Sequence, residues 1–220
     1  MLRNYIFNNK EDHIFYFNYL IQEVLNFNMQ FKDMLNDINQ LEDSLGEESL
    51  IEVIKFEALS RRKDGILRFL CNLFADETKG AISFKKYRKK LKKDANKYGV
   101  NLPELPSAIS EKLNFLNQLR NWSLHYPESL IISERALLKK EILSDVIYSV
   151  NYQYYERQYL TEMISELTEL YNYFVEISKQ MIEDYALLIG KKVSIVNCPI
   201  TIKEYNLMQA VSDSWDIQTS

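Results

Sequence analysis

Between residues 14 and 45, apolar side chains return every three or four positions, through Phe17, Leu20, Ile21, Val24, Leu25, Phe31, Met34, Leu35, Ile38 and Leu41. That spacing predicts an amphipathic helix with one face turned to a core. Gly46 ends it. A second run of the same kind covers about 48–74, through Leu50, Val53, Ile54, Leu59, Ile66, Phe69 and Leu70, and Gly80 ends the turn that follows. A third helix is expected over 84–98, with Gly99 as its C-cap. The segment "NLPELPS" (101–107) reads as a loop, because two prolines exclude a helix interior. Ser107 is expected to cap a fourth helix over about 108–126. Pro127 then ends that helix, since the residue before a proline avoids the helical region.

Residues 133–189 contain neither glycine nor proline. The stretch reads either as one very long helix or as two helices broken near "SVNYQYY" (149–155). In its second half Leu160, Ile164, Leu167, Tyr171, Phe174, Ile177, Met181, Tyr185 and Leu188 step mostly by threes and fours. An antiparallel hairpin with another helix, a coiled-coil-like dimer seam and an ordinary core-facing stripe all satisfy that pattern. After Gly190, "KKVSIVNCPITI" (191–202) is expected to form a short strand or an extended arm. The expected fold is therefore all-α: a bundle of four to five helices with a long C-terminal helix or helical hairpin. A single domain is expected over 1–190, with a C-terminal tail over 191–220.

Composition supports helices. Glycine (5) and proline (4) are scarce in 220 residues, which disfavours a turn-rich β fold. A hydrophobic fraction of 46% is enough to build a core, and a net charge of -4 gives no overall attraction to nucleic acid. Cys71 and Cys198 stand too far apart for a metal-ligand spacing and are expected to be reduced thiols in a cytoplasmic protein. No signal peptide and no membrane-spanning run is visible, so no membrane partner is expected. Nor is there a phosphate loop, a dinucleotide fingerprint or a cluster of metal ligands, so neither cofactor nor metal is expected.

Charge is segregated locally. "KKYRKKLKKDANK" (85–97) is a strong basic run in an otherwise acidic chain. Lys85, Lys86, Arg88, Lys89, Lys90, Lys92 and Lys93 are candidates for tracking an RNA backbone, with Tyr87 and Tyr98 available for stacking. The competing reading is a solvated helix face. The tyrosines of "YSVNYQYYERQY" (148–159) fit a partner surface or, more simply, half-buried core positions.

The chemistry centres on "RNWSLH" (120–125). On a helical wheel Ile109, Leu113, Leu116 and Leu124 cluster on one side, with Phe115, Leu119 and Trp122 beside them. Asn114, Asn117, Gln118, Asn121 and His125 lie opposite. Arg120 falls on the apolar stripe, where a guanidinium is costly unless it is paired or reaches a polar cavity. A structural role, in which it snorkels outward or pairs with a buried acid of another helix, is one account of it. The other is a pocket shared with Asn121 and His125, which are four apart and so neighbours on one helical edge. Histidine offers proton transfer near neutral pH, arginine a permanent fork for phosphate, and asparagine both a donor and an acceptor. That set suits a phosphodiester better than an acyl group, because no nucleophilic serine or cysteine motif accompanies it.

This hexapeptide resembles the Arg-x4–6-His motif of HEPN domains, in which a polar residue, commonly Asn, follows the arginine. The resemblance covers the motif and its helix, about 108–126. It implies a helical bundle and a metal-independent ribonuclease of the kind found in toxin–antitoxin and phage-defence systems. It further implies a homodimer that places two motifs in one cleft, with RNA as substrate and an antitoxin or regulatory protein as a further partner. In that scheme Arg120, Asn121 and His125 are the catalytic residues. The non-enzymatic alternative is a helical module that binds RNA, a nucleotide or a partner protein. His13, the only other histidine, is expected at the surface or in a cap, away from the site.

Overall fold

The computed structural model describes residues 5–47, 49–124 and 153–196. Within them the order is α1 (Lys10–Ser44), β1 (Leu50–Glu52), α2 (Val53–Ala75), α3 (Phe84–Asp94) running into a 3-10 turn (Ala95–Tyr98), α4 (Ser107–Leu124), β2 (Tyr154–Glu156) and α5 (Arg157–Ile189). The chain is mostly helical, as its periodicity predicts.

Helix α1 begins four residues before the periodic apolar run. The Asn9 side chain accepts from the Asp12 backbone N–H (2.9 Å), and the Asp12 carboxylate accepts from the Asn9 N–H (3.3 Å). This reciprocal capping box satisfies donors that the first turn cannot pair internally. At the other end of the third helical segment Gly99 adopts φ 64°, the left-handed C-cap conformation expected of it. Ser107 is the first residue of α4 and not its cap: the Ser110 N–H donates to the Pro106 carbonyl (3.0 Å), so the helix starts from Pro106. A proline is well suited to a helix start, where its missing N–H costs nothing.

The pairs between helices fix their directions. Along α1, Phe17 meets Tyr185, Asn28 meets Ser178, Phe31 meets Phe174, and Glu42 meets Arg157. The numbers run in opposite senses, so α1 and α5 are antiparallel. Phe27 on Phe69 and Asp37 with Arg62 make α1 and α2 antiparallel in the same way. Lys112 with Glu176 and Phe115 against Tyr173 bring α4 alongside α5. The largest fully buried side chains include Phe17, Phe31, Phe74, Phe84 and Phe174, contributed by α1, α2, α3 and α5. Each such ring stabilises by about 1.5–3 kcal/mol.

The short antiparallel ribbon was not expected. Leu50 pairs with Glu156, Ile51 with Tyr155 and Glu52 with Tyr154. It joins the starts of α2 and α5: Val53 N–H donates to the Gln153 carbonyl (3.0 Å) and Arg157 N–H to the Ser49 carbonyl (2.8 Å). Since β2 interrupts the stretch without glycine or proline, a single unbroken helix over 133–189 is excluded. Residues 191–196 form neither helix nor strand. The end of α4 beyond Leu124, the first part of the 133–189 stretch, Cys198 and the rest of the tail lie outside the described residues. No helix among the described residues is long and apolar enough to cross a membrane.

Candidate functional site

Helix α4 buries Ile109, Leu113 and Leu116 and leaves Phe115 and Trp122 exposed. Arg120 stands on the inner side, with only 13% of its side chain accessible. Its position is solved by polar partners from the end of α2. Nε donates to Asn72 Oδ1 (2.9 Å), one terminal nitrogen donates to Asp76 Oδ2 (3.0 Å), and the other donates to Asn121 Oδ1 (2.9 Å). Asn72 and Asp76 are four apart, so they lie one above the other at the C-terminal end of α2. The Asp76 N–H caps that helix on the Asn72 carbonyl (3.2 Å), and Asp76 Oδ1 accepts from the Thr78 N–H (2.8 Å). Asp76 is itself buried, so its charge requires the guanidinium opposite.

The guanidinium is thus held in one orientation by groups from two helices. Arg120 and Asn121, singled out by the motif, are brought together directly. With its oxygen committed to Arg120, the Asn121 amide presents its N–H donors from an exposed side chain. His125 lies outside the described residues. Cys71, next to Asn72 on α2, is buried, and burial pushes its thiol up to about 12 against a smaller opposing pull from Arg120. It is therefore not a thiolate at neutral pH. Sequence reading missed Asn72 and Asp76. Their one visible signal is a pair of polar residues, four apart, closing an otherwise apolar run.

The basic run divides into two sets. Arg88 is turned inward: Nε donates to Asp184 Oδ2 (2.6 Å), a fully buried carboxylate of α5, and a terminal nitrogen donates to the carbonyl of Pro103 (2.8 Å) in the loop before α4. Burial pushes the Asp184 carboxyl up, and Arg88 pulls it back. Arg88 is therefore not available to RNA in this arrangement, because its fork already holds a buried carboxylate. The lysines stay near the surface, partly neutralised. Glu77 serves both Lys85 and Lys89, Asp94 serves both Lys90 and Lys97, and Lys92 reaches Glu104. Lys90, with Lys97, holds the Asp94 carboxyl down to about 2. Lys86 instead binds the carbonyls of Thr78 (2.8 Å) and Ala81 (3.2 Å), and Lys93 is exposed. With carboxylates shared and Lys86 held by neutral oxygens, the segment keeps a positive excess.

His13 is neither a surface nor a capping residue. It is fully buried, stacked on Phe7 (4.4 Å between ring centres) and flanked by Tyr87 and Tyr98. Neither ring nitrogen makes a hydrogen bond, and Nε2 lies 3.4 Å from Asp94 Oδ2. Burial lowers its pKa, with Asp94 opposing. It shares no partner with Arg120. Compared with family models, curated proteins and solved structures, the chain matches none.

Proposed function

We propose that the chain is a metal-independent endoribonuclease of HEPN type, acting as a homodimer on RNA. The observation that carries the reading is the held Arg120–Asn121 pair, at the start of the motif that ends in His125. RNA cleavage by its own 2′-hydroxyl needs a base for that hydroxyl, an acid for the departing 5′-oxygen, and stabilisation of charge on phosphorus. His125 supplies a proton transfer, contributing roughly 10²–10⁴-fold as such groups do. Asp76 offsets the charge of Arg120, so the guanidinium acts through directed N–H donors on the developing phosphorane more than through net charge. Asn121 adds its amide donors. One histidine cannot perform both proton transfers, and a second copy of the motif in a shared cleft supplies the other. The exposed Trp122 within the motif and the exposed Phe115 about one and a half turns before it support such an apolar contact. Lys85, Lys86, Lys89, Lys90, Lys92 and Lys93 would track the RNA backbone, in a cytoplasmic toxin–antitoxin or phage-defence setting.

The ion pair between Arg120 and Asp76 favours a second reading, a non-catalytic bundle that binds RNA, a nucleotide or a protein and uses Arg120 as a clamp between α2 and α4. Incubating the purified protein with labelled RNA in EDTA separates them. Fragments ending in a 2′,3′-cyclic phosphate support the nuclease, since attack by the 2′-oxygen displaces the 5′-oxygen. RNA bound but uncut supports the module.

A further inference from the structure

A cavity of about 380 Å³ opens between the N-terminal segment, α1, the turn at Gly80 and α3, and four aromatic side chains line it: Tyr5, Phe7, Tyr16 and Tyr87. The rings form one assembly. Tyr16 stacks on Tyr87 (4.9 Å between centres), Phe7 meets Tyr16 edge-on (5.0 Å), and Tyr5 tilts against Tyr16 (5.3 Å). On the same wall stand Lys86 and Lys90, one helical turn apart on α3. An aromatic box without charge would suit a cation. Two ammonium groups on its wall exclude one and select an anion.

The two lysines are prepared for that role in different ways. The Thr78 and Ala81 carbonyls fix the Lys86 ammonium in place without neutralising it, and two bonds leave it a third N–H to donate. Lys90 shares its one carboxylate, Asp94, with Lys97, so this corner also keeps a positive excess. The tyrosines do not oppose an anion. Burial pushes the Tyr16 hydroxyl up to about 12, and Tyr87, whose pKa burial also raises, donates to the His13 carbonyl (3.0 Å). Sites for small ligands span roughly 300–1,000 Å³ with mostly apolar walls and a few placed polar groups, which this cavity satisfies.

We propose that this cavity binds a nucleotide, stacking the base on Tyr5 and Tyr16 and placing the phosphate on Lys86 and Lys90. The chemistry is the same for a free nucleotide and for one nucleotide of an RNA chain. The lining shares no residue with the Arg120 cluster, although Lys86 and Lys90 also belong to the basic set proposed above to track RNA, so the inference survives a failure of the cleavage chemistry.

Calorimetric titration of the full chain tests it, with adenosine monophosphate, adenosine and inorganic phosphate as separate probes. Adenosine monophosphate is expected to bind at least tenfold more tightly than either part. Tyr5→Ala and Lys86→Gln are each expected to weaken it by about tenfold or more. If Lys86→Gln disturbs the Thr78–Ala81 turn, Tyr5→Ala decides alone, since that ring is 44% exposed and its loss leaves the core intact. No binding at millimolar nucleotide, phosphate binding as tightly as the nucleotide, or wild-type affinity in Tyr5→Ala overturns the proposal. A tetra-adenylate that binds at least tenfold more tightly than the monophosphate, with the same loss in Tyr5→Ala, assigns the site to RNA. Equal affinities assign it to the free nucleotide. A protein that fails to cleave RNA but binds the monophosphate keeps this site and loses only the nuclease.

Discussion

Removing the Arg120 guanidinium would leave the buried Asp76 carboxylate with the Thr78 N–H and no counter-charge. Breaking a buried pair by deleting one partner costs on the order of 3–5 kcal/mol, and the slight solvent access of this pair moves the expected loss for Arg120→Ala to about 2–4 kcal/mol. Asp76→Asn in the same background should recover part of it, because the stranded charge is gone. A double-mutant cycle by thermal melting checks this, and strictly additive losses would contradict it. An inactive Arg120→Ala variant is consequently weak evidence for catalysis unless activity is expressed per folded molecule. His13 gives a second prediction. Its folded pKa lies below the unfolded value of about 6.5, so the neutral ring is favoured by folding. The stability this provides is complete above about pH 6.5 and is lost as pH falls below it. Facing the ring are Asp94, Lys90 and Asp12, whose charges partly cancel. Melting temperature should therefore decline on acidification through pH 6 in the wild type and decline less in His13→Phe. Parallel curves would refute the assignment.

At the scale of elements, α3 carries two opposite expectations for residues that look alike in sequence. Arg88→Ala should unfold or severely destabilise the chain, because Asp184 would be left buried without its counter-charge and with only the Gln180 amide donating to it, a loss of about 3–5 kcal/mol. Lys89→Gln with Lys93→Gln should leave the melting temperature almost unchanged. If the lysines track single-stranded RNA, each lost phosphate contact should lower the slope of log affinity against log salt by about 0.7. An unchanged slope would return α3 to a plain solvated face. Periodicity made α1 and α5 readable, because their apolar residues answer to one continuous core face. Gly99 was readable because the left-handed cap demands it. The β ribbon was not: three-residue strands carry no period-two signal, and Leu50, Ile51 and Glu52 read equally well as the start of a helix. The inward turn of Arg88 was hidden for another reason. Its partner Asp184 is 96 residues away, and a run of like charges gives no sign of which one is buried. The same distance problem concealed Asn72 and Asp76 from the reading of Arg120, although the alternative of a buried acid on another helix described the contact correctly.

At the scale of the molecule, the bundle holds one end of the motif in place and the nuclease reading requires a second copy to complete the chemistry. Light scattering at micromolar concentration should give twice the mass of the 26.1 kDa chain, and a monomer would remove the shared cleft. Trp122→Glu, at an exposed apolar position within the motif, should shift that equilibrium toward monomer without lowering the melting temperature of the chain itself. The most direct test of the whole account is the rate of RNA cleavage in EDTA by the wild type and by His125→Ala, each normalised to folded protein. The account predicts measurable metal-free cleavage by the wild type and a loss of about 100-fold or more in the variant. A wild type that leaves RNA intact, or a His125→Ala variant that cuts as fast as the wild type, would contradict it.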